Sequence, residues 1–548
     1  MDLSKDLTRR SFLQGASVAT LAAAGLGVVG CAPATGGSGE TASAKEGGKA
    51  VSGSADAVWN IEEIGEPSET ITAQVCVVGG GGTGLAAGVQ ARQLGLETVL
   101  LEKHASTGGS FIGTEGLFGV GSHWQKEAGE TVTASDVIEE CMDYHHWIPD
   151  YEMYKKFFNK TAETIDWLEG IGVEFDHVQA LGDSHVCWHI YKGSIHPGVE
   201  FMESMLTAAK NVDLDIQTNC AGKRLLLDEE GNVSGVLALR GDDTVVKVEA
   251  PVVILATGGY SNNTDLVAHL TGLNPDFLMP SGVDGRDADG IKMAKEIGAD
   301  LATDPGTMMF YGPVCRGASW GGAVCACTLQ PILWVNQDAK RFVREDMFLK
   351  NFAFAGLAVK KQRKVWTLCT QALIDRFAAG EGALAGVGVY VQEGSPIEGL
   401  SDELARLMKT GDVYTADTIE DLAKKIELDA SALEETIATY NEFCSAGLDG
   451  DFHKPAKDLV ALVDGDGPYY AFDCQDAYFT TCGGLKVTPD THVLDTEGAE
   501  ISGLYAGGCD TGGFFGDAYD VGIAAGSGAS WAINSGRIAA EQAAKYLS

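Results

Sequence analysis

The stretch Val75-Cys76-Val77-Val78-Gly79-Gly80-Gly81-Gly82-Thr83-Gly84 leaves a chain few ways to fold. An apolar run ends in a glycine turn, and a helical stretch follows. A second short apolar run, Thr98 to Leu101, then closes on Glu102 and Lys103. This is strand, glycine turn, helix, strand, acid. Gly79 permits the tight turn, Gly81 and Gly82 let a pyrophosphate approach the backbone, and Gly84 allows close helix–strand packing. The helix N-terminus offers free N–H groups and positive dipole to the phosphates. Glu102, eighteen residues after Gly84, is placed to take a ribose 2′-OH and disfavours a 2′-phosphate. The stretch predicts an α/β, Rossmann-like dinucleotide-binding domain.

At 548 residues the chain has room for two or three domains, and 45% hydrophobic content supports full cores. A formal charge of −38 argues against nucleic acid and anionic lipid surfaces as partners. Among thirteen cysteines there is no C-x-x-C, so no zinc knuckle, dithiol redox pair or haem attachment motif is expected. The majority read as small buried hydrophobes.

Residues 1–31 read as a targeting segment. Thr8-Arg9-Arg10-Ser11-Phe12-Leu13-Gln14 resembles the twin-arginine export signal, and Val28-Val29-Gly30-Cys31 resembles a lipoprotein signal with lipid on Cys31. The intervening Gly/Ala-rich run is too short for a confident membrane span. Residues 32–55 form a Gly/Ser/Ala/Lys tether that gives an anchored domain reach. Twin-arginine export moves folded proteins with cofactor already loaded. An exported enzyme meets little free NADH, which turns the cofactor expectation from NAD towards tightly held FAD.

After Glu102 come Gly108-Gly109-Ser110 and Gly113-Thr114-Glu115-Gly116, where backbone can pass close to a flat ring. Residues 135–170 carry helical periodicity. His185 and His189 stand four apart, with His196, Trp188 and Tyr191 nearby. On a helix that pair could hold a metal, but no third ligand follows, and packing or substrate contact is the preferred reading; no metal is expected. Residues 213–255 read as a β meander, starting with Leu214 to Gln217, followed by a buried parallel strand, Pro251 to Leu255. That strand runs into Ala256-Thr257-Gly258-Gly259-Tyr260.

With these residues the chain resembles the FAD-dependent fumarate reductase/succinate dehydrogenase flavoproteins, which include the 3-ketosteroid dehydrogenases and related respiratory reductases. The tail Gly503-Leu504-Tyr505-Ala506-Gly507-Gly508 … Gly536-Arg537-Ile538-Ala539-Ala540-Glu541 and the helix opened by Asp289-Gly290-Ile291 are similar to the same family. So are Val335-Asn336 … Arg341-Phe342-Val343 … Glu345 and the stretch from Thr418 to Asn441. The resemblance implies a glutathione-reductase-type FAD domain over residues 56–307 and 481–548, with an inserted α+β capping domain over 308–480. It implies a terminal helix facing the flavin pyrimidine and contacts to FAD from Thr257, Gly258, Gly259 and Asp289. The acid after the last glycine turn reads Cys509-Asp510, and Asp510 is assigned the ribityl contact. No histidine stands where succinate dehydrogenases attach the flavin, so the FAD is expected to be non-covalent.

Family members move a hydride between flavin and a C–C or C=C bond while a side chain handles the proton. The histidines and arginines with which fumarate reductases clamp a dicarboxylate are replaced. Phe310-Tyr311-Gly312, Leu349-Lys350, Phe479-Thr480-Thr481-Cys482 and Tyr519-Asp520 stand at those positions. Losing that many charge-assisted contacts argues against fumarate and succinate. An aromatic pocket suits a flatter, less charged substrate. Tyr311, where ketosteroid dehydrogenases keep a tyrosine, Tyr519 and Tyr470 are the candidate proton carriers. The expected reaction is reduction of an activated C=C bond in an enone, steroid-like molecule or aryl acrylate. Electrons would come from a separate membrane-bound cytochrome or flavoprotein. The alternatives are a ketosteroid-type dehydrogenase and a non-catalytic flavin-binding lipoprotein.

Overall fold

The computed structural model describes residues 57–193, 197–388, 390–463 and 465–548. The twin-arginine stretch, Cys31, the tether and His196 lie outside the described residues. A six-stranded sheet runs in the order His492–Leu494, Glu500–Ala506, Val252–Leu255, Val75–Val78, Thr98–Leu101, Asp215–Gln217. All neighbours are parallel except the first pair. Val75–Val78, Thr98–Leu101 and Val252–Leu255 are buried at every residue. Sheet faces covered on both sides explain why these strands read as unbroken apolar runs. The helix Gly82–Gln93 packs against the terminal helix Ser527–Tyr546.

One expectation is corrected here. The chain before the meander does not belong to it. Asp215–Gln217 extends the main sheet in parallel beside Thr98–Leu101, and Glu69–Thr72 joins the opposite edge of the smaller sheet, parallel to Val245–Glu249. The crossover helix Pro197–Asn211 brings the chain back in the parallel sense, as a parallel neighbour requires.

A second large sheet is built on the thirteen-residue strand Tyr469–Thr481. Met308–Cys315, Val365–Thr370 and Val413–Ala416 pair with it antiparallel, and Leu333–Asn336 extends it. Leu278–Pro280 joins it in parallel from outside the 308–480 span. The helices Ile419–Lys425 and Ala430–Ala446 cover one face, capped by Thr418 and Asp429. Arg341 bonds Glu345 at 2.9 Å and Asp449 at 2.9 Å, and Lys454 reaches Glu345 at 3.2 Å; all four are buried. The two connections between the halves lie side by side, with Cys482 N–H donating to Thr307 O at 2.8 Å. Among the described residues no helix is long and apolar enough to cross a membrane.

Cys325 and Cys327 fall on a helix, Ala323–Thr328, both buried. The His185/His189 helix does not form. His189 lies on the strand Trp188–Tyr191, with Nε2 2.8 Å from Ser122 Oγ and Nδ1 2.9 Å from Cys187 O, while His185 turns to Glu140 at 2.7 Å.

Candidate active site

A cavity of about 730 Å³ runs from the glycine turn to the base of the second sheet. Its first half is walled by backbone. Gly79 has φ +111°, and a Cβ there would stand 2.2 Å from Ala256 O. Gly79, Gly81 and Gly82 line the cavity; Gly84 stands behind them, where a Cβ would meet Gly79 O at 1.8 Å. Glu102 is buried. Its carboxylate accepts Gly80 N–H and His104 N–H, each at 2.8 Å, and forms part of the wall. Lys103 Nζ bridges Asp287 at 3.0 Å and Asp289 at 2.7 Å, so Asp289 and Lys103 line the cavity as a neutralised pair.

Gly109, Ser110, Thr114, Gly116, Thr257 and Gly258 line the same half. Ser110 Oγ and Trp188 Nε1 are buried on this wall without a hydrogen-bond partner among the described residues. Buried donors of this kind are costly to leave unpaired. With the glycine cradle and the acid they fit a dinucleotide.

Asp510 does not reach the cavity. It is buried, and its carboxylate is taken up by Thr257 N, by Thr257 Oγ1 at 2.9 Å and by Gly259 N at 2.9 Å. The short helical turn Gly508–Asp510 presents Cys509 to the cavity instead. Asp510 and Gly259 therefore shape the turn that carries Thr257 and Gly258, which corrects the ribityl contact expected of Asp510. Burial pushes the Asp510 carboxyl upward.

The other half is aromatic. Phe479 lies 4.6 Å from Trp320 and 5.9 Å from Phe352; Phe352 stacks on Tyr519 at 5.8 Å; Phe515 meets Tyr519 at 5.4 Å. Phe479, Phe514, Phe515 and Tyr519 are aromatics that the sequence assigns to the pocket, and they line it. Trp320, Phe348, Phe352 and Trp531 were not singled out by sequence reasoning; they come from three separate segments, Phe348 and Phe352 being neighbours on adjoining helices. Arg286 also reaches this end, but it spends Nη1 on Phe479 O and Nη2 on Ser281 O, the latter at 2.7 Å. These bonds staple the wall.

The three phenols separate. Tyr519 lines the cavity, and its oxygen receives Gly528 N–H, at 3.4 Å, from the first turn of the terminal helix. Burial first, and the charge of Asp520 second, push this phenol upward. Tyr311 stands one rank back: it is fully buried, its ring stacks on Phe479 at 4.2 Å and its hydroxyl lies 2.7 Å from Ser281 Oγ. Phe479 and Ser281 form the wall in front of it. Tyr470 is remote, because it precedes Phe479 by nine residues on one strand, about 30 Å at the usual rise. Its hydroxyl is spent on Gln371. The proton-carrier role expected of Tyr470 is therefore not supported by its position, and Tyr311 reaches the cavity only through Ser281.

A family model for the FAD binding domain matches residues 74–522. The chain is 35% identical over 483 residues to the vinyl phenol reductase of Lactiplantibacillus plantarum, covering 86% of this chain and 96% of the relative. It is 28% identical over 480 residues to a fumarate reductase (cytochrome) of Shewanella frigidimarina, covering 87% and 77%. Among solved structures, the open conformation of a flavocytochrome c3 fumarate reductase superposes with a TM-score of 0.66 at 25% identity, covering 88% of this chain and 79% of that one.

Proposed function

Because this chain belongs to the FAD-dependent fumarate reductase/succinate dehydrogenase flavoprotein family, we propose that it reduces the activated C=C bond of a flat, non-dicarboxylate, aryl-conjugated acceptor. It is an FAD-dependent oxidoreductase of C=C/CH–CH groups. The observation that carries the substrate reading is the wall of Trp320, Phe352, Phe479, Phe515 and Tyr519 where a dicarboxylate would need cations. The 35% identity to a vinyl phenol reductase supports it.

FAD, when bound, supplies the hydride. The chain's own residues do the rest. Phe352 and Phe479 offer planar faces to an aryl group and exclude water from it. Tyr519 gives its phenolic proton to the second carbon of the double bond. Gly528 N–H and the positive end of the terminal helix stabilise the phenolate that this leaves. Glu102, Ser110 and Trp188 hold the non-covalent cofactor. The leader supports an exported, lipid-tethered protein, anchored at Cys31 and fed by a membrane-bound cytochrome or flavoprotein.

The test is reduced-viologen oxidation by the FAD-loaded protein with vinylphenols, aryl acrylates, enones and fumarate. Aryl-conjugated acceptors are expected to turn over and fumarate not. Turnover confined to fumarate would overturn the reading.

A further inference from the structure

Arg286 is a cation buried in the cavity wall without an acid. It is 4% exposed and lines the cavity beside two glycines that line it too, Gly258 and Gly282. A Cβ on Gly282 would stand 3.7 Å from Arg286 Nη2 and 3.8 Å from Nη1. Every acceptor the guanidinium meets is neutral. Nε donates to Asn262 Oδ1 at 2.9 Å and to Val283 O at 3.1 Å, Nη1 donates to Phe479 O, and Nη2 donates to Ser281 O at 2.7 Å. A guanidinium has five N–H groups. These bonds use three of them, so one N–H on each terminal nitrogen has no partner among the described residues. The charge has no partner there either. Asp287, next in the chain, pairs with Lys103 at 3.0 Å; Asp510 is taken up by Thr257 and Gly259; Asp284 is exposed.

The lysines of the cavity are differently placed. Lys103 is paired with two acids, and Lys350 and Lys457 are exposed to water. Arg286 also lies outside all four stretches where a dicarboxylate clamp would fall, 310–312, 349–350, 479–482 and 519–520, so sequence reasoning passed it over. Its bond to Phe479 O sets the guanidinium at the foot of the aromatic wall. Keeping a charge out of water without a counter-charge is costly, and a ligand that brings the counter-charge removes the cost. A planar N–H fork matches the two oxygens of a carboxylate.

Resting on the reading that this cavity takes an aryl-conjugated alkene, we propose that Arg286 binds the single carboxylate of an aryl acrylate and selects monocarboxylate acceptors over uncharged ones. The aryl group lies against Phe352 and Phe479, and the carboxylate takes the two unused N–H groups. A dicarboxylate would bring a second negative charge, and the described residues of the wall hold no second buried, acid-free cation for it. The pairing has a chemical consequence as well. A carboxylate held by a guanidinium draws electron density from the double bond conjugated to it, which makes the far carbon a better hydride acceptor.

The experiment compares trans-cinnamate with cinnamamide, which has the same shape and no charge. Dissociation constants are read from the visible spectrum of the oxidised, FAD-loaded protein, and kcat/KM from reduced-viologen oxidation, for wild type, Arg286→Gln and Arg286→Lys. Wild type is expected to favour the acid over the amide by about tenfold or more in both measurements. Arg286→Gln should lower that ratio by roughly 10- to 100-fold, the range for lost charge-assisted hydrogen bonds. Arg286→Lys, which keeps the charge and loses the fork, should fall between them. A wild type that binds the amide as tightly as the acid, or an Arg286→Gln protein with the wild-type ratio, overturns the proposal and leaves the substrate reading standing. Should Arg286→Gln fail to fold, Arg286→Lys decides by the same ratio. Purification of both variants folded but without flavin assigns the guanidinium to the cofactor and also overturns the proposal. A wild type that reduces no aryl alkene overturns the substrate reading, and this inference with it.

Discussion

Removing one oxygen from each of three tyrosines gives three different outcomes if the geometry governs the chemistry. Tyr519→Phe keeps the ring that stacks on Phe352 at 5.8 Å and deletes the oxygen that Gly528 N–H supports. Loss of a positioned general acid lowers turnover by roughly 10²–10⁴, a barrier increase of about 3–5 kcal/mol. Cofactor binding should hold, because Glu102, Ser110 and the glycine turn are untouched. Tyr311→Phe removes one buried hydrogen bond, 2.7 Å to Ser281. It should cost about 0.5–1.5 kcal/mol of stability, and turnover should fall no more than about threefold, since Phe479 and Ser281 still form the wall. Tyr470→Phe loses only its bond to Gln371, far along the strand, and should leave turnover at the wild-type value. The assay is kcat and KM for 4-vinylphenol with reduced viologen, beside flavin content and Tm for each variant. A Tyr519→Phe enzyme within about threefold of wild type, or a flavin-loaded Tyr311→Phe enzyme that loses about 100-fold, would refute this assignment of the proton.

Three further outcomes follow from the same geometry. Gly79→Ala puts a Cβ 2.2 Å from Ala256 O at φ +111°, so the purified variant should lack flavin, read from its flavin-to-protein absorbance ratio. Glu102→Gln keeps the shape but removes the charge that Gly80 and His104 N–H groups meet at 2.8 Å. Charge-assisted bonds of this kind are worth about 1.5–3 kcal/mol, so FAD should bind roughly 10- to 100-fold more weakly by titration of the apoprotein. His189 is buried and held neutral, with its pKa pulled down to about 4. Between pH 6.5 and 4 the unfolded chain binds the extra proton and the folded one does not, so stability is full above about pH 6.5 and falls as pH drops through that window. The loss at the acid end should approach about 3 kcal/mol, measured by urea unfolding against His189→Gln, whose profile should be flatter over the same range.

What can be read from the sequence, and what cannot, divides along a physical line. A pyrophosphate needs bare backbone, and bare backbone is written locally as glycine. Gly79, Gly81, Gly82, Gly109 and Gly258 are therefore assignable to the cavity wall from their motifs alone, and they stand there. Side-chain direction is not local in that way. The strand Met308–Cys315 shifts register against Tyr469–Thr481 between Met308 and Phe310 and again between Phe310 and Gly312. Each shift moves side chains between faces. Tyr311 occupies the expected place in the chain, yet turns to Ser281 and the back of Phe479. Gly508, at φ +57°, has the same effect at the second glycine turn: it winds the next residues so that Cys509 faces the cavity and Asp510 faces Thr257. The aromatic wall is hidden for a different reason. Trp320, Phe352, Phe479 and Tyr519 come from separate segments of the sequence, and only the fold brings them to one cavity. The buried Asp520 joins both difficulties. In sequence it sits where an arginine would bind a dicarboxylate, and its charge reads as aimed at the substrate. In the structure it points the other way, to Ser527 and His145. The acidic residue whose place in the chain argues against a dicarboxylate is, by the direction it takes in the fold, packed behind the cavity wall and not presented to a substrate.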